Sequence, residues 1–228
     1  MKKKISRNIF KWVGFLLLVP FIIAGVVFYK DYYGEKTQTK QDVVLEVLDG
    51  DTFVLPGKQR IRLKRVKAPE MGYCYSEESK KKLEELVMGK QVTLRNMIVD
   101  KFRRIVALVY VDDVLVNEVM LKEGYVKYLG GVTEEEKNLR HASDFAKENK
   151  LGVFSEECSP EQPPDPKCLI KGNKSEDSSG NMIYHFPGCS AYNQIKVERS
   201  WGDDWFCSEK EAEKAGFVKS KNCYGKKY

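Results

Sequence analysis

The sequence predicts an α+β domain over residues 43–158, built on a small closed β-barrel with three helices. Three observations carry this: short β-branched runs divided by Asp-Gly and Pro-Gly turns, helical segments with i, i+3, i+4 apolar spacing, and the arrival of both within about 115 residues. Residues 43–48 and 52–55 are β-rich and joined by Asp49-Gly50-Asp51; Pro56-Gly57 then leads into a third strand at 60–66. Residues 76–88 read as a helix, with Leu83, Leu86 and Val87 on one face and Gly89 as its stop. Strands at 92–99 and 104–111 follow, and Asp112-Asp113 makes the next turn. Val116, Val119 and Met120 mark a second helix that Gly124 ends. Thr133 to Glu136 form a capping box for a third, expected to turn Leu139, Ala142, Phe145 and Ala146 inward. Five strands and three helices of these lengths suggest a barrel of the OB type.

Composition and charge bound the rest. The 228 residues are 42% hydrophobic and 32% charged, a globular balance that excludes a disordered or polytopic chain. The net charge of +6 sits wholly in residues 1–40, so it gives no support to a basic DNA-binding domain, and nucleic-acid binding has to come from local sites. In those forty residues Lys2, Lys3, Lys4, Arg7 and Lys11 precede an uncharged run over residues 12–29, 18 residues long. At 1.5 Å per residue this run is long enough for a bilayer core of about 30 Å. The cations before it place the N-terminus in the cytoplasm and the bulk of the chain outside. Residues 1–33 are therefore expected to be a single-pass transmembrane signal anchor at the cell membrane, with a cleaved, secreted form as the alternative. Residues 34–42 are a polar linker.

With these elements in place, the chain carries a resemblance. DGDT (49–52), IRL (61–63), APE (68–70), DKFRR (100–104), LVYVDDVLVNEVMLKEGY (108–125) and NLRHASDFAKENKLGVFSE (138–156) resemble the staphylococcal-type thermonuclease family in order and spacing. The family's fold is an OB-type barrel with three helices, and its members are calcium-dependent phosphodiesterases that cut DNA and RNA. The resemblance puts charge stabilisation on Arg62 and Arg104, the general-base or water-orienting role on Glu70, and a calcium ligand at Asp51. The chemistry is apt, because a guanidinium fork matches two phosphate oxygens, a carboxylate accepts a proton from water, and calcium wants oxygen donors. Taken singly, each residue has a plainer reading: Asp-Gly-Asp as a turn, Arg62 as a solvated strand cation, and Arg103-Arg104 as an exposed turn pair.

Two departures matter. The family places a calcium-binding Asp three residues before its Glu, and here that position is Lys67. An ammonium cannot ligate calcium and repels it at contact range. Three outcomes are open: a metal held by the remaining carboxylates, an ammonium in place of the ion, or a catalytically impaired fold that binds single-stranded nucleic acid. The second departure concerns grip. Lys101 is retained, but Phe102 stands where the family has Tyr, and the segment after Gly124 is short. That leaves Tyr125 and Tyr128 as candidates for substrate stacking, with ordinary core aromatics as the plainer reading.

Secreted members of the family resemble this chain in having one Cys near each of positions 74 and 158, which implies a Cys74–Cys158 disulfide. Residues 159–167 are a Pro-rich linker. Residues 168–228 form a small Cys-rich module that resembles, through IYHFPGC and WFCSEKEAEKAGF, the sunset module found behind some bacterial thermonucleases. Its four cysteines allow three pairings, of which Cys168–Cys207 with Cys189–Cys223 is the one expected; an oxidising compartment favours disulfides over a metal site. Zinc on His185 and Cys189 with two of the others, Cys207 and Cys223, is the alternative. The expected partners are DNA or RNA and, through the N-terminal helix, the membrane; no obligate protein partner is inferred.

Overall fold

The β-rich run at 43–48 does not make one strand. In the computed structural model, which describes residues 40–131, 134–175 and 180–228, the chain divides at Val44 and Leu45. β1 (Lys40–Val43) runs antiparallel to β6 (Gln91–Val99), whereas β2 (Glu46–Asp49) pairs with β3 (Thr52–Leu55). β3 continues into β4 (Gln59–Leu63), which lies parallel to β7 (Ile105–Val111), and β7 returns antiparallel to β6. The sheet order is thus β1-β6-β7-β4-β3-β2, with β8 (Val114–Leu115) added to β7, giving seven strands rather than the expected five. Its two edge strands are joined through only two residues, so the sheet has to curl back on itself. That continuity is what gives an OB-like half-barrel.

Strand alternation explains the core. Val47, Phe53, Leu55, Ile61, Leu63, Val92 and Leu94 turn inward and are buried. α1 (Ser76–Val87) buries Leu83 and Val87 against them. α2 (Val116–Lys122) buries Val116, Met120 and Leu121 and stops before Gly124 at φ +77°. α3 (Glu134–Glu148) contributes Leu139, Ala142 and Ala146 to buried positions. Phe145, expected to face inward, is 46% exposed. The buried stripe is Leu139, Ala142, Ser143 and Ala146, and position 145 lies off that i, i+3, i+4, i+7 face. The capping box expected at 133–136 falls partly outside the described residues. Asn117 is fully buried and satisfied: Oδ1 accepts from Val109 N at 2.9 Å, and Nδ2 donates to Lys64 O at 2.9 Å. It ties β7 to the end of β4.

A second, smaller sheet has the order β12 (Asp204–Phe206), β10 (Ile170–Lys174), β11 (Met182–His185), β13 (Val218–Lys219), with α4 (Glu209–Lys214) packed on it. Ile170, Tyr184, Phe186, Phe206, Ala212 and Phe217 make its own core. The two sheets belong to one compact unit, residues 40–228. The anchor expected at 1–33 lies outside the described residues; among the described residues no helix is long and apolar enough to cross a membrane.

Three disulfides, Cys74–Cys158, Cys168–Cys207 and Cys189–Cys223, close the cysteine inventory with the expected pairing. They correct the zinc alternative. Cys189, Cys207 and Cys223 have no thiolate left for a metal, and His185 is buried with its pKa pushed down by burial and by the nearby Lys171 ammonium. The first bond links the loop before α1 to the segment after α3 across 84 residues. Replacing Cys74 and Cys158 together by Ser is expected to lower unfolding free energy by about 2–4 kcal/mol in urea titrations, with little change in far-ultraviolet dichroism. An unchanged urea midpoint would show that the packed sheets alone hold this junction.

Candidate active site

The Asp49-Gly50-Asp51 turn between β2 and β3 is held unusually close to α1. A Cβ on Gly50 would lie 1.9 Å from Ser79 Oγ and 2.8 Å from Ala68 Cβ, so only Gly fits between the two carboxylates. Asp49 Oδ1 accepts from Asp51 N at 2.9 Å, an Asx-type closure of the turn. Asp51 itself is 2% exposed. Its Oδ1 accepts from Arg62 Nη1 at 2.6 Å and from Thr52 Oγ1 at 2.8 Å, and its Oδ2 accepts from Ala68 N at 2.9 Å. Arg62 reaches it from β4, where Thr52 and Arg62 face each other in the β3–β4 ladder. Burial raises the Asp51 carboxyl to about 6; the Arg62 guanidinium pulls against that rise, and Asp49 adds to it.

The Ala68 hydrogen bond carries the chain from β5 (Val66–Lys67) into the Pro69-Glu70 corner. A cleft of about 230 Å³ opens there, lined by Asp49, Asp51, Arg62, Lys67, Pro69 and Glu70 among others. The side chain of Glu70 is 70% exposed at its rim. Three sequence-predicted residues, Asp51, Arg62 and Glu70, therefore share one cavity, together with the departing residue Lys67.

Arg104 does not line this cleft. Its Nε and Nη2 both lie 2.8 Å from Asp100 Oδ2, while Asp100 Oδ1 accepts from the backbone N of Phe102 and Arg104. The strand parity is right, since Ile61 pairs with Ile105 and Arg62 with Val106, so Arg104 falls on the same sheet face as Arg62. Its head group is retained by the turn. Lys101 and Phe102 are exposed at the tip of that turn, with the Lys101 ammonium 5.1 Å from the Phe102 ring centroid. Tyr125 and Tyr128 are half-buried against the barrel core, where Tyr75 and Tyr125 have ring centroids 5.4 Å apart. Both tyrosines thus lie with the core aromatics, and β9 (Lys127–Tyr128) pairs with β5.

Several neighbours of the cleft had no local signal in the sequence. Lys174, on β10 of the second sheet, donates to Tyr73 OH at 3.0 Å and lies 3.7 Å from Glu70 Oε2. Ser200 Oγ donates to Cys74 O at 2.9 Å. The indole of Trp201 sits beneath two ammonium groups, Lys67 at 5.1 Å and Lys127 at 5.3 Å from the ring. Asp100 was visible as the i−4 partner of Arg104 in DKFRR; the contacts from residues 174–201 span about a hundred positions and leave no local pattern.

Residues 60–156 match the family of Staphylococcal nuclease homologues, a span that includes Arg62, Glu70 and Arg104 but begins after Asp51. An uncharacterized endonuclease of Escherichia coli is 35% identical over 114 residues, covering 48% of this chain and 69% of that protein. The chain belongs to the staphylococcal nuclease family. A micrococcal nuclease of Shigella flexneri is 27% identical over 150 residues, 59% of this chain and 80% of that protein. A probable staphylococcal-like nuclease of Oryza sativa subsp. japonica is 41% identical over 71 residues, 31% of this chain and 22% of that protein, and the chain spans only about a fifth (19–22%) of the length of the rice relatives it matches.

Staphylococcal nuclease family members generally use calcium, and the donor set here does not fit it. Both Asp51 oxygens already accept hydrogen bonds, and an ammonium stands in the same lining. Among the described residues, the one group of three or more candidate ligands whose donor atoms lie within 4.8 Å of one another is Asp165, Cys168 and Cys207, and its two cysteines are bonded to each other.

The Asp51 environment makes a signed prediction. A carboxyl raised in the folded state contributes stability below its unfolded value near 3.8 and loses that contribution as pH rises through about 6. Relative to Asp51→Asn, the wild type should therefore lose on the order of 1–3 kcal/mol between the acid and neutral ends of that window. Denaturant titrations of both proteins across it check this, and a wild type that gains on the variant as pH rises would contradict it.

Proposed function

We propose that this protein hydrolyses phosphodiester bonds of single-stranded DNA or RNA. The observation that carries the reading is the common cleft of Arg62, Asp51 and Glu70, in a chain of the staphylococcal nuclease family. Glu70 is accessible to water and accepts its proton as the water oxygen bonds to phosphorus. Arg62 has one N–H committed to Asp51, which fixes the plane of the guanidinium and leaves other donors for phosphate oxygens. Lys67 supplies a second fixed positive charge at the cleft wall, where family members have a carboxylate and calcium. Lys174 holds the corner that carries Glu70 through its contacts with Tyr73 and Glu70. Arg104 would join the phosphate on leaving Asp100. The bond to the leaving oxygen breaks, and that oxygen takes up a proton.

The retention of Arg104 by Asp100 and the ammonium at position 67 favour a second reading, a pseudonuclease that holds single strands without cutting them. We further propose that the chain acts outside the cytoplasm from a single-pass membrane anchor. The apolar run at 12–29 and the three disulfides, which persist in oxidising compartments, support that placement.

Cleavage of labelled single-stranded DNA separates these readings. Wild type is expected to cut in the presence of a chelator, and Glu70→Gln to lower kcat by about 10²–10⁴-fold. A wild type that is silent in all conditions, with Lys67→Asp cutting only when calcium is added, would establish the pseudonuclease.

A further inference from the structure

The cleft around Arg62 is small, and a polymer needs more grip than one phosphate provides. Net charge does not provide it, but a local surface does. Where the barrel meets the second sheet, a groove of about 630 Å³ is lined by Lys127, Lys147 and Lys150 from the barrel side and by Lys171 and Lys196 from the other, against only two carboxylates, Glu161 and Glu198. Part of that charge is matched: Lys150 reaches Glu161 at 3.2 Å, and Lys127 reaches Glu198 at 3.6 Å. Lys171 is not matched by a carboxylate among the described ion pairs. Its Nζ donates to the carbonyls of Ile195 at 2.7 Å and Tyr192 at 3.2 Å, and it lies over the rings of Tyr192 and Trp205 at 4.5 and 5.3 Å. Two carbonyls take two of its three N–H donors, and one remains for an anion. Phe154, half-buried, and Trp205, 8% exposed, complete the lining.

The groove adjoins the cleft. Lys67 lines the cleft and Lys127 lines the groove, and these two residues face each other in the β5–β9 ladder with both ammoniums over the Trp201 ring. The two depressions are therefore separated by one rung of that ladder, about 5 Å, a step short enough for a single strand leaving Arg62 to cross. A groove lined by lysines suits the phosphates of a flexible single strand, whose backbone can follow a curved track.

We propose that this groove is a second binding site for single-stranded nucleic acid, engaging the stretch of phosphodiester backbone that flanks the bond in the cleft. It assigns the 168–228 module half of a substrate track, and it rests on the nuclease reading for the identity of its ligand. Lys147 and Lys196 are exposed and make none of the contacts that hold Lys171, so they can be altered without disturbing the junction.

The test uses the full chain carrying Glu70→Gln, so that strands are bound without being cut, with fluorescein-labelled oligothymidylates of about four and about sixteen nucleotides. Lys147→Gln with Lys196→Gln is expected to weaken the long strand about tenfold and to reduce the slope of log affinity against log salt by about 1.4, two phosphate contacts at roughly 0.7 each. The short strand should be unaffected. Adding Lys171→Gln should deepen the loss while melting temperature and near-ultraviolet dichroism confirm that the fold persists. In the cutting-competent background, KM for the long strand should rise with kcat unchanged. Long-strand affinity and salt slope equal to those of the parent in the double variant would overturn the proposal. So would binding of phosphatidylglycerol vesicles through these lysines with no preference for the long strand. Cutting of the short strand by wild type tests the cleft separately, so failure of the groove and failure of the nuclease reading give different results.

Discussion

A single buried carboxylate organises the site. Asp51 accepts from the hydroxyl of the next residue, from a guanidinium on the neighbouring strand and from the backbone N–H of Ala68. These partners belong to β3, β4 and the chain just after β5: the β3–β4 ladder already pairs the first two, and the Ala68 contact ties the third to them. Burying the charge is costly, and the raised Asp51 carboxyl records that cost. What the arrangement supplies is position. Removing Asp51 would leave the guanidinium of Arg62 without its orienting partner and the Ala68 N–H unsatisfied, a penalty of about 1–3 kcal/mol for the amide alone. Glu70 lies two residues beyond Ala68, so the same hydrogen bond that satisfies the amide sets where the proposed base stands.

The barrel needed this kind of pinning because its two edges are one chain. β1 and β2 are separated only by Val44 and Leu45, and the β-rich run at 43–48 read as one strand in sequence because local propensity cannot register a change of partner. The three helices were more legible. Their apolar stripes and glycine stops depend on local spacing, which burial then enforces, and the one misplaced side chain, Phe145, stood off the stripe that Leu139, Ala142 and Ala146 define. The cysteine pairs were legible only in part: the family resemblance implied Cys74–Cys158, whereas spacing alone left three pairings open for the four cysteines of the second module.

The site was legible in part. Asp51, Arg62 and Glu70 were accessible as members of ordered motifs and do share a cleft. Arg104 was accessible as a residue but not as a conformation. The Asp100 carboxylate four positions earlier offers it two contacts at 2.8 Å in a tight turn, and nothing in a motif says whether a guanidinium prefers that partner to solvent or substrate. The second sheet's approach to the cleft was not accessible at all. Lys174 to Tyr73 and Ser200 to Cys74 join residues more than a hundred positions apart, and such contacts follow from the docking of two surfaces rather than from any periodicity.

That docking gives position 67 a physical meaning. An aspartate there would be a calcium ligand in the family's arrangement, but here it would also lie beside the electron-rich face of the Trp201 indole. A carboxylate is repelled by that face, whereas an ammonium is drawn to it by about 0.5–2 kcal/mol, and Lys127 on the facing strand repeats the contact. One side chain cannot serve both ends. With lysine at 67, the cleft gives up a metal ligand and the barrel gains an attachment for the module that brings Lys174 to Glu70. Lys67 is therefore one of several contacts, with Lys174 to Tyr73, Ser200 to Cys74 and Lys127 to Glu198, that hold the second sheet beside the cleft, and it is the one that also changes the charge of the cleft.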